Sequence, residues 1–459
     1  MLKTRWLSSV TPATLLALVI FASTLSAAEW KEKVLYSFQG GSKDGSTPAG
    51  GVVFDSKGNL YGATTYGGLT ACAIGGECGT VFQLSPPVQK GDPWNETVIY
   101  QFRGQGVNDG GLPNGGLTID AAGNLYGVAA YGGSGDCVLL GLRAGCGTVY
   151  ELSPPKQKGG AWKETILYSF PTAKQGYVPN GDLVFDSAGN LYGATSFGGG
   201  RGTTCDEFYG GNCGVVFELS PPKTKGGKWT EKVLHAFAGG TDGANPGGGL
   251  VLDSKGALYG TTPMGGNQLC NFGNGKIGCG IAFELAPPTK KGGVWTEKFL
   301  HRFIDGNDGA GPATAMVFDA DGSLFGAAGG GAKGGGVIFR LAAGSDGRWK
   351  ETSVYEFSSN TYGYGPAVSF FDSSGNLCGT TYSVPDSYSG SVFRLMPPTQ
   401  KSKPWTMSFL YEFTGPPDGI GPSPYLVRDK SGDFYGATQY GGSGACGSGG
   451  CGTVFELTP

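Results

Sequence analysis

The sequence predicts an all-β fold: a seven-bladed β-propeller of four-stranded antiparallel blades, closed by the N-terminal strand pairing in the last blade. Three observations carry this expectation. Glycine and proline supply 88 and 27 of the 459 residues, too many turn formers for long amphipathic helices, while 39% apolar and 12% aromatic residues exceed what a disordered chain carries. One motif, Trp-x-Glu and then an aliphatic-aromatic run ending in Phe, begins at Trp30, Trp94, Trp162, Trp229, Trp295, Trp349 and Trp405; only the last copy departs, with Met407 in place of Glu. The repeats open on this Trp strand and stop just after Val454-Phe455-Glu456-Leu457, the strand that precedes a Trp strand in every other copy. The last blade therefore lacks a strand that the N-terminus can supply, whereas an open solenoid would want atypical polar caps.

Residues 1–28 read as a secretory signal: Lys3 and Arg5 form a basic start, Ala13 to Ala22 an apolar run, and Ser26-Ala27-Ala28 a small-residue cleavage site. The run is about half the ~20 residues that span a bilayer, which favours a cleaved signal over an anchor. Residues 29–459 then form a single propeller domain that is secreted or periplasmic. Its charge moves from −3 to −5 once Lys3 and Arg5 are lost, which excludes a nucleic-acid partner on electrostatic grounds.

Each repeat holds four strand candidates. In the third copy these are Trp162 to Phe170, with Trp162, Ile166, Tyr168 and Phe170 on one face by alternation, then Leu183-Val184-Phe185, Leu191 to Thr195 and Val215 to Leu219. Asp186-Ser187-Ala188-Gly189-Asn190 joins the middle pair as a hairpin, since Asp bonds its own turn backbone and Gly accepts positive φ. Ser220-Pro221-Pro222 ends the fourth strand, because Pro cannot continue a ladder.

Eleven cysteines behind an export signal make disulfides the default. Ten fall in local pairs at one place in the repeat, before the Gly-Thr-Val-Phe strand: Cys72 with Cys78, Cys137 with Cys146, Cys205 with Cys213, Cys270 with Cys279, and Cys446 with Cys451. Thiolate metal sites would need four converging ligands, and these pairs belong to separate blades. Cys378, in a strand, reads as a packed free thiol.

The stapled loops share a face with the inter-blade loops, whose Asp-Gly signatures hold Asp44, Asp109, Asp242, Asp308 and Asp418. Near them, at strand ends, stand Tyr66, Tyr131, Phe197, Met264 and Tyr440. Carboxylates beside aromatic platforms suit sugar rings; turn formation and inter-blade packing account for the same residues. The opposite face carries Lys90, Lys156, Lys158, Lys223, Lys225, Lys290, Lys291, Lys401 and Lys403 in its Pro-Pro loops, read as solvated charge or as a contact for an anionic surface.

Catalytic signals are weak. His235 and His301, the only histidines, both replace the Tyr of the Trp strand and read as tolerated strand residues, so no metal is expected. No nucleophile elbow, His-Glu-x-x-His helix or phosphate loop is present, and no cofactor is expected. Gly273, Gly275 and Gly278 match a dinucleotide fingerprint with no helix to follow, and Asp319-Ala320-Asp321-Gly322 is the fifth hairpin copy without the distant Glu of a calcium loop. The Glu of the Trp motif, one per blade from Glu32 to Glu351, reads as a structural strand position.

The combination Gly-Asn-Leu-Tyr-Gly-Ala-Thr, Gly-Gly and Gly-Thr-Val-Phe, at Gly58 to Phe82 and again from Gly189, resembles the GloVer (Gloeo/Verruco) tandem-repeat family of secreted bacterial proteins. The motif is weaker at Leu324-Phe325-Gly326 and Leu377-Cys378-Gly379. The resemblance implies export and repetition and names no chemistry. The leading functional expectation is a monomeric, secreted binding module that recognises glycans or cell-surface material through its stapled face. The alternatives are an extracellular polysaccharide hydrolase or lyase with acids at the axial channel mouth, and a purely structural or adhesive surface protein.

Overall fold

The computed structural model describes residues 30–459 apart from 71, 73–75, 90, 105–107, 140, 158, 201–212, 225, 268, 273–274, 277, 291, 359–363, 384–388 and 401. Seven four-stranded antiparallel sheets stand in a ring, and the helices among the described residues are single 3-10 turns such as Gly41–Lys43. None of them is long and apolar enough to cross a membrane. In blade 3 the strands run outward from Tyr177–Phe185 through Leu191–Phe197 and Val215–Ser220 to Thr230–Ala236. The last of these belongs to the fourth repeat, so each blade takes its outer strand from the repeat that follows. Blade 7 has no following repeat. Its Thr453–Thr458 strand pairs instead with Lys31–Ser37, Lys31 opposite Thr458 and Ser37 opposite Thr453, and the circle closes through hydrogen bonds.

The outer strands depart from simple alternation. In all seven the register slips by one residue, as between Val149 opposite Tyr168 and Tyr150 opposite Ile166. Ile166 and Tyr168 therefore lie on opposite faces, which corrects the single face expected for Trp162, Ile166, Tyr168 and Phe170. The extra residue, Leu167, is buried. This bulge has an architectural consequence, because it lets one strand serve two interfaces. Trp162 and Ile166 pack back into the core shared with blade 1, while Tyr168 and Phe170 pack forward into the core shared with blade 3.

The Phe that ends each outer strand meets the aromatic residue of the third strand of the next blade. Seven such pairs run round the ring, Phe38–Phe82, Phe102–Tyr150, Phe170–Phe217, Phe237–Phe283, Phe303–Phe339, Phe357–Phe393 and Phe413–Phe455, with centroids 4.9–5.7 Å apart and tilted or edge-on rings. Each third-strand ring lies over the glycine paired with it. In blade 3, Gly193 is opposite Phe217, and a Cβ at Gly193 would sit 2.7 Å from the ring's Cζ. Ring packing thus explains why glycine fills this strand position in every repeat.

The hairpins form as the sequence indicates: Asp186 accepts from the N–H groups of Ala188 (2.8 Å) and Asn190 (2.9 Å), and Gly189 has φ 84°. Asp319 does the same for Asp321 and Ser323. At the axis the inner strands approach backbone to backbone, and a Cβ at Gly115 would lie 2.5 Å from the Gly181 carbonyl oxygen. Tyr425 of blade 7 spans this centre, its hydroxyl donating to the Gly248 carbonyl of blade 4 (2.8 Å).

Candidate functional site

Disulfides join Cys72 to Cys78, Cys137 to Cys146, Cys270 to Cys279 and Cys446 to Cys451. Cys213 is disulfide-bonded as well, while its expected partner Cys205 lies outside the described residues. Cys378 is free and buried, and burial pushes its thiol up to about 12. The second cysteine of each staple has a further role, because its carbonyl accepts an N–H from the next blade. Leu112 donates to Cys78 (2.8 Å), Val178 to Cys146 (3.2 Å), Asn245 to Cys213 (2.8 Å), Gly311 to Cys279 (2.8 Å) and Thr47 to Cys451 (2.9 Å). Each donor immediately precedes a Pro and holds φ of 55–63°, a left-handed conformation that Thr and Val adopt only under constraint. The staples therefore pin loops at the seams between blades.

The five aspartates stand in those seams. Asp44 accepts from the Tyr36 hydroxyl (2.9 Å) and from the N–H groups of Gln39 (2.7 Å) and Gly45 (2.6 Å). Asp109 takes Tyr100 (2.8 Å), the backbone N–H (3.1 Å) and Nε–H (3.0 Å) of Arg103, and Gly110 (2.7 Å). Asp418 takes Tyr411 (2.9 Å), Thr414 and Gly419. Asp308 is bonded to His301 Nε2 (2.8 Å), and Asp242 accepts from the Ala238 N–H (2.7 Å). Facing them from the neighbouring outer strand are the repeat glutamates. Burial, followed by the charge of the facing aspartate, pushes Glu32, Glu96 and Glu164 up to about 7. The same two causes bring Glu297 to about 9, with the Asp242 contact adding to burial.

The strand-end aromatics add partly exposed rings to this face. A threonine hydroxyl two residues earlier bonds the carbonyl of Tyr66, Phe197, Met264 and Tyr440 (2.7–2.8 Å) and fixes each strand end. Tyr66 and Tyr440 are 38% and 39% exposed. Tyr131 is half-buried, its phenol raised by burial and then by Tyr66 beside it. Tyr382, 44% exposed, reaches across to blade 7, where its hydroxyl lies 3.4 Å from Gln439 Oε1 and its ring covers Gly421. Blades 6, 7, 1 and 2 thus present tyrosines in succession. Phe197 stacks on Tyr177 at 5.3 Å, and Met264 packs into the core between blades 3 and 4.

On the opposite face Lys156, Lys223, Lys290 and Lys403 are exposed; Lys90, Lys158, Lys225, Lys291 and Lys401 lie outside the described residues. At the axis the acid present is Asp182, which accepts from the Gly116 N–H (2.6 Å) and is pushed up to about 6 by burial against that bond.

The Gloeobacter/Verrucomicrobia repeat profile matches residues 19–205 and 269–459. The chain belongs to that family. No curated protein matches it. Among solved structures it is similar to a calcium structure of a carbohydrate-active enzyme of Trichoderma reesei, at 12% identity over 94% of this chain and 96% of that one, with a TM-score of 0.41. It is also similar to a gluconolactonase of Xanthomonas campestris, at 13% identity over 68% of this chain and 78% of that one, with a TM-score of 0.35.

Three features of this Gloeobacter/Verrucomicrobia repeat protein escape a reading of its sequence. Tyr382 sits one residue earlier than the other strand-end aromatics, counted from the leucine that opens the strand, and no Gly-Gly follows it. Tyr425 and Asp182 occupy inner-strand positions filled by small residues in most blades, and this departure from the repeat was the available signal. The pairing of Glu96, Glu164, Glu297 and Glu351 with Asp44, Asp109, Asp242 and Asp308 joins residues more than forty positions apart, which no local pattern reveals.

Proposed function

We propose that this chain is an exported binding module that takes carbohydrate on its stapled face. The observation that carries the reading is the succession of tyrosines on four consecutive blades, Tyr382, Tyr440 and Tyr66 exposed and Tyr131 half-buried beside them. Aromatic faces stack against the C–H faces of sugar rings, and phenol groups at their edges bond hydroxyls. An arc of such platforms suits an extended chain of sugars better than a single small ligand. Export is supported by the basic and apolar N-terminus and by four disulfides. The hydrolytic reading draws less support, since Asp44, Asp109, Asp308 and Asp418 spend their oxygens on their own loop and the strand before it.

A glycan array with the mature chain, followed by calorimetric titration of the best ligand, tests the proposal. Tyr66→Ala, Tyr382→Ala and Tyr440→Ala should each weaken binding about tenfold, about 1.4 kcal/mol. Absence of saccharide binding, or affinity untouched by all three changes, would reject it.

A further inference from the structure

We propose that His235, Asp242 and Glu297 form a zinc site in the seam between blades 3 and 4. The residues come from three elements. His235 lies on the outer strand of blade 3, past the bulge, and so faces forward; Asp242 lies in the connecting loop; Glu297 lies on the outer strand of blade 4, before its bulge, and so faces back. One ligand atom from each falls within 4.8 Å of the other two.

Comparison with the other seams shows what is different here. Where tyrosine occupies the histidine position beside a seam aspartate, its hydroxyl bonds that aspartate at 2.8–2.9 Å, as in Tyr36 with Asp44, Tyr100 with Asp109 and Tyr411 with Asp418; Tyr168, with no such aspartate, reaches Glu231 at 3.5 Å. The other histidine, His301, makes the same bond to Asp308 at 2.8 Å. His235 does not reproduce it. Its Nε2 lies 3.5 Å from Asp242 Oδ2 and 3.8 Å from Glu297 Oε2, and it has no hydrogen-bond partner. Glu297 is only 10% exposed, and its Oε1 is buried without a partner as in Glu32, Glu96, Glu164 and Glu231, so the unbonded imidazole is what sets this seam apart. A buried imidazole nitrogen left unbonded beside two carboxylates is costly unless something lies among them.

The spacing and the donor chemistry name what that is. Tetrahedral zinc with bonds of ~2.0–2.1 Å holds its ligand atoms about 3.3 Å apart, so the two gaps from His235, 3.5 and 3.8 Å, need close only slightly around the ion. One neutral imidazole and two carboxylates balance the charge of a divalent ion and leave a fourth position. Asp242 and His235, 24% and 18% exposed, leave water a path to it. Arg302 acts on Glu297 through its charge, but its guanidinium lies over the Phe299 ring, 3.8 Å from the centroid, and makes no ion pair with Glu297 among the described residues.

The test is zinc titration of the mature, chelator-treated chain in competition with a coloured chelator, alongside the visible spectrum of the cobalt-loaded chain. His235→Tyr installs the residue that the repeat uses elsewhere and keeps the fold; His301→Tyr is the matched control in the next seam. One zinc per chain, a tetrahedral cobalt band and a zinc-dependent rise in melting temperature are expected in the wild type and in His301→Tyr. His235→Tyr and Glu297→Gln should weaken zinc binding by about a hundredfold or more. Failure of the wild type to bind zinc at micromolar concentration, binding unchanged in His235→Tyr, or equal loss in His301→Tyr would each overturn the assignment. None of these outcomes depends on whether the stapled face binds sugar.

Discussion

Replacing Glu96 by Gln should stabilise the protein in mild alkali and leave it unchanged in acid. Glu96 sits in the seam between blades 7 and 1 with one carboxylate oxygen buried and unbonded, and burial plus the Asp44 charge raise it from an ordinary 4.5 to about 7. The folded state therefore holds a proton that the unfolded chain releases near 4.5. Stability contributed by that proton is complete below about pH 4.5 and is lost as pH climbs through 7, because ionising Glu96 puts an uncompensated charge in the seam. A change of that size corresponds to about 3 kcal/mol between the two protonation states; the carboxyl is only partly enclosed, so solvent screening brings it to about 1 kcal/mol. Gln has the shape of the neutral acid and never ionises. Urea unfolding of Glu96→Gln should give a midpoint equal to wild type at about pH 4 and a gain of about 1 kcal/mol at about pH 8. A variant less stable than wild type at both pH values would show that Glu96 works in the seam as a carboxylate, and the reasoning would fail.

Further perturbations address the scaffold. Phe170→Ala removes a fully buried ring that joins blades 2 and 3 and should cost about 3–5 kcal/mol in urea unfolding. Gly193→Ala places a Cβ 2.7 Å from Phe217 and 2.8 Å from Leu183, and should cost about 1–3 kcal/mol, read as a lowered melting temperature. Deleting residues 30–38 leaves Thr453–Thr458 with an unpaired edge, and light scattering should then show self-association where the full mature chain scatters as one species.

Much of the fold was legible because repetition multiplies weak signals. The spacing of the Trp motifs gave the number of blades, and the identity of the terminal strands gave the closure that Lys31–Ser37 and Thr453–Thr458 make. The cysteine pairs were legible for the same reason, each falling at one place in its repeat. The bulge was not, because Ile166-Leu167-Tyr168 is an unbroken apolar run in which an inserted residue leaves no mark on the pattern. Its cost was the wrong face for Tyr168, and with it the seam clusters of Tyr or His, Asp and Glu. The strand-end aromatics were found by register, so Tyr382, which fills the exposed surface from the neighbouring parity, was missed. No sequence pattern could tell that Tyr36, Gln39 and Gly45 would engage Asp44 from its own strand and loop.

Tyrosine footprinting of the mature chain, with and without the saccharide found to bind, tests the central claim most directly. The account predicts protection of Tyr66, Tyr382 and Tyr440 together, with the tyrosines of the hairpin face unchanged. Protection confined to the hairpin and lysine face, or none at any of the three while sugar is bound, would contradict it.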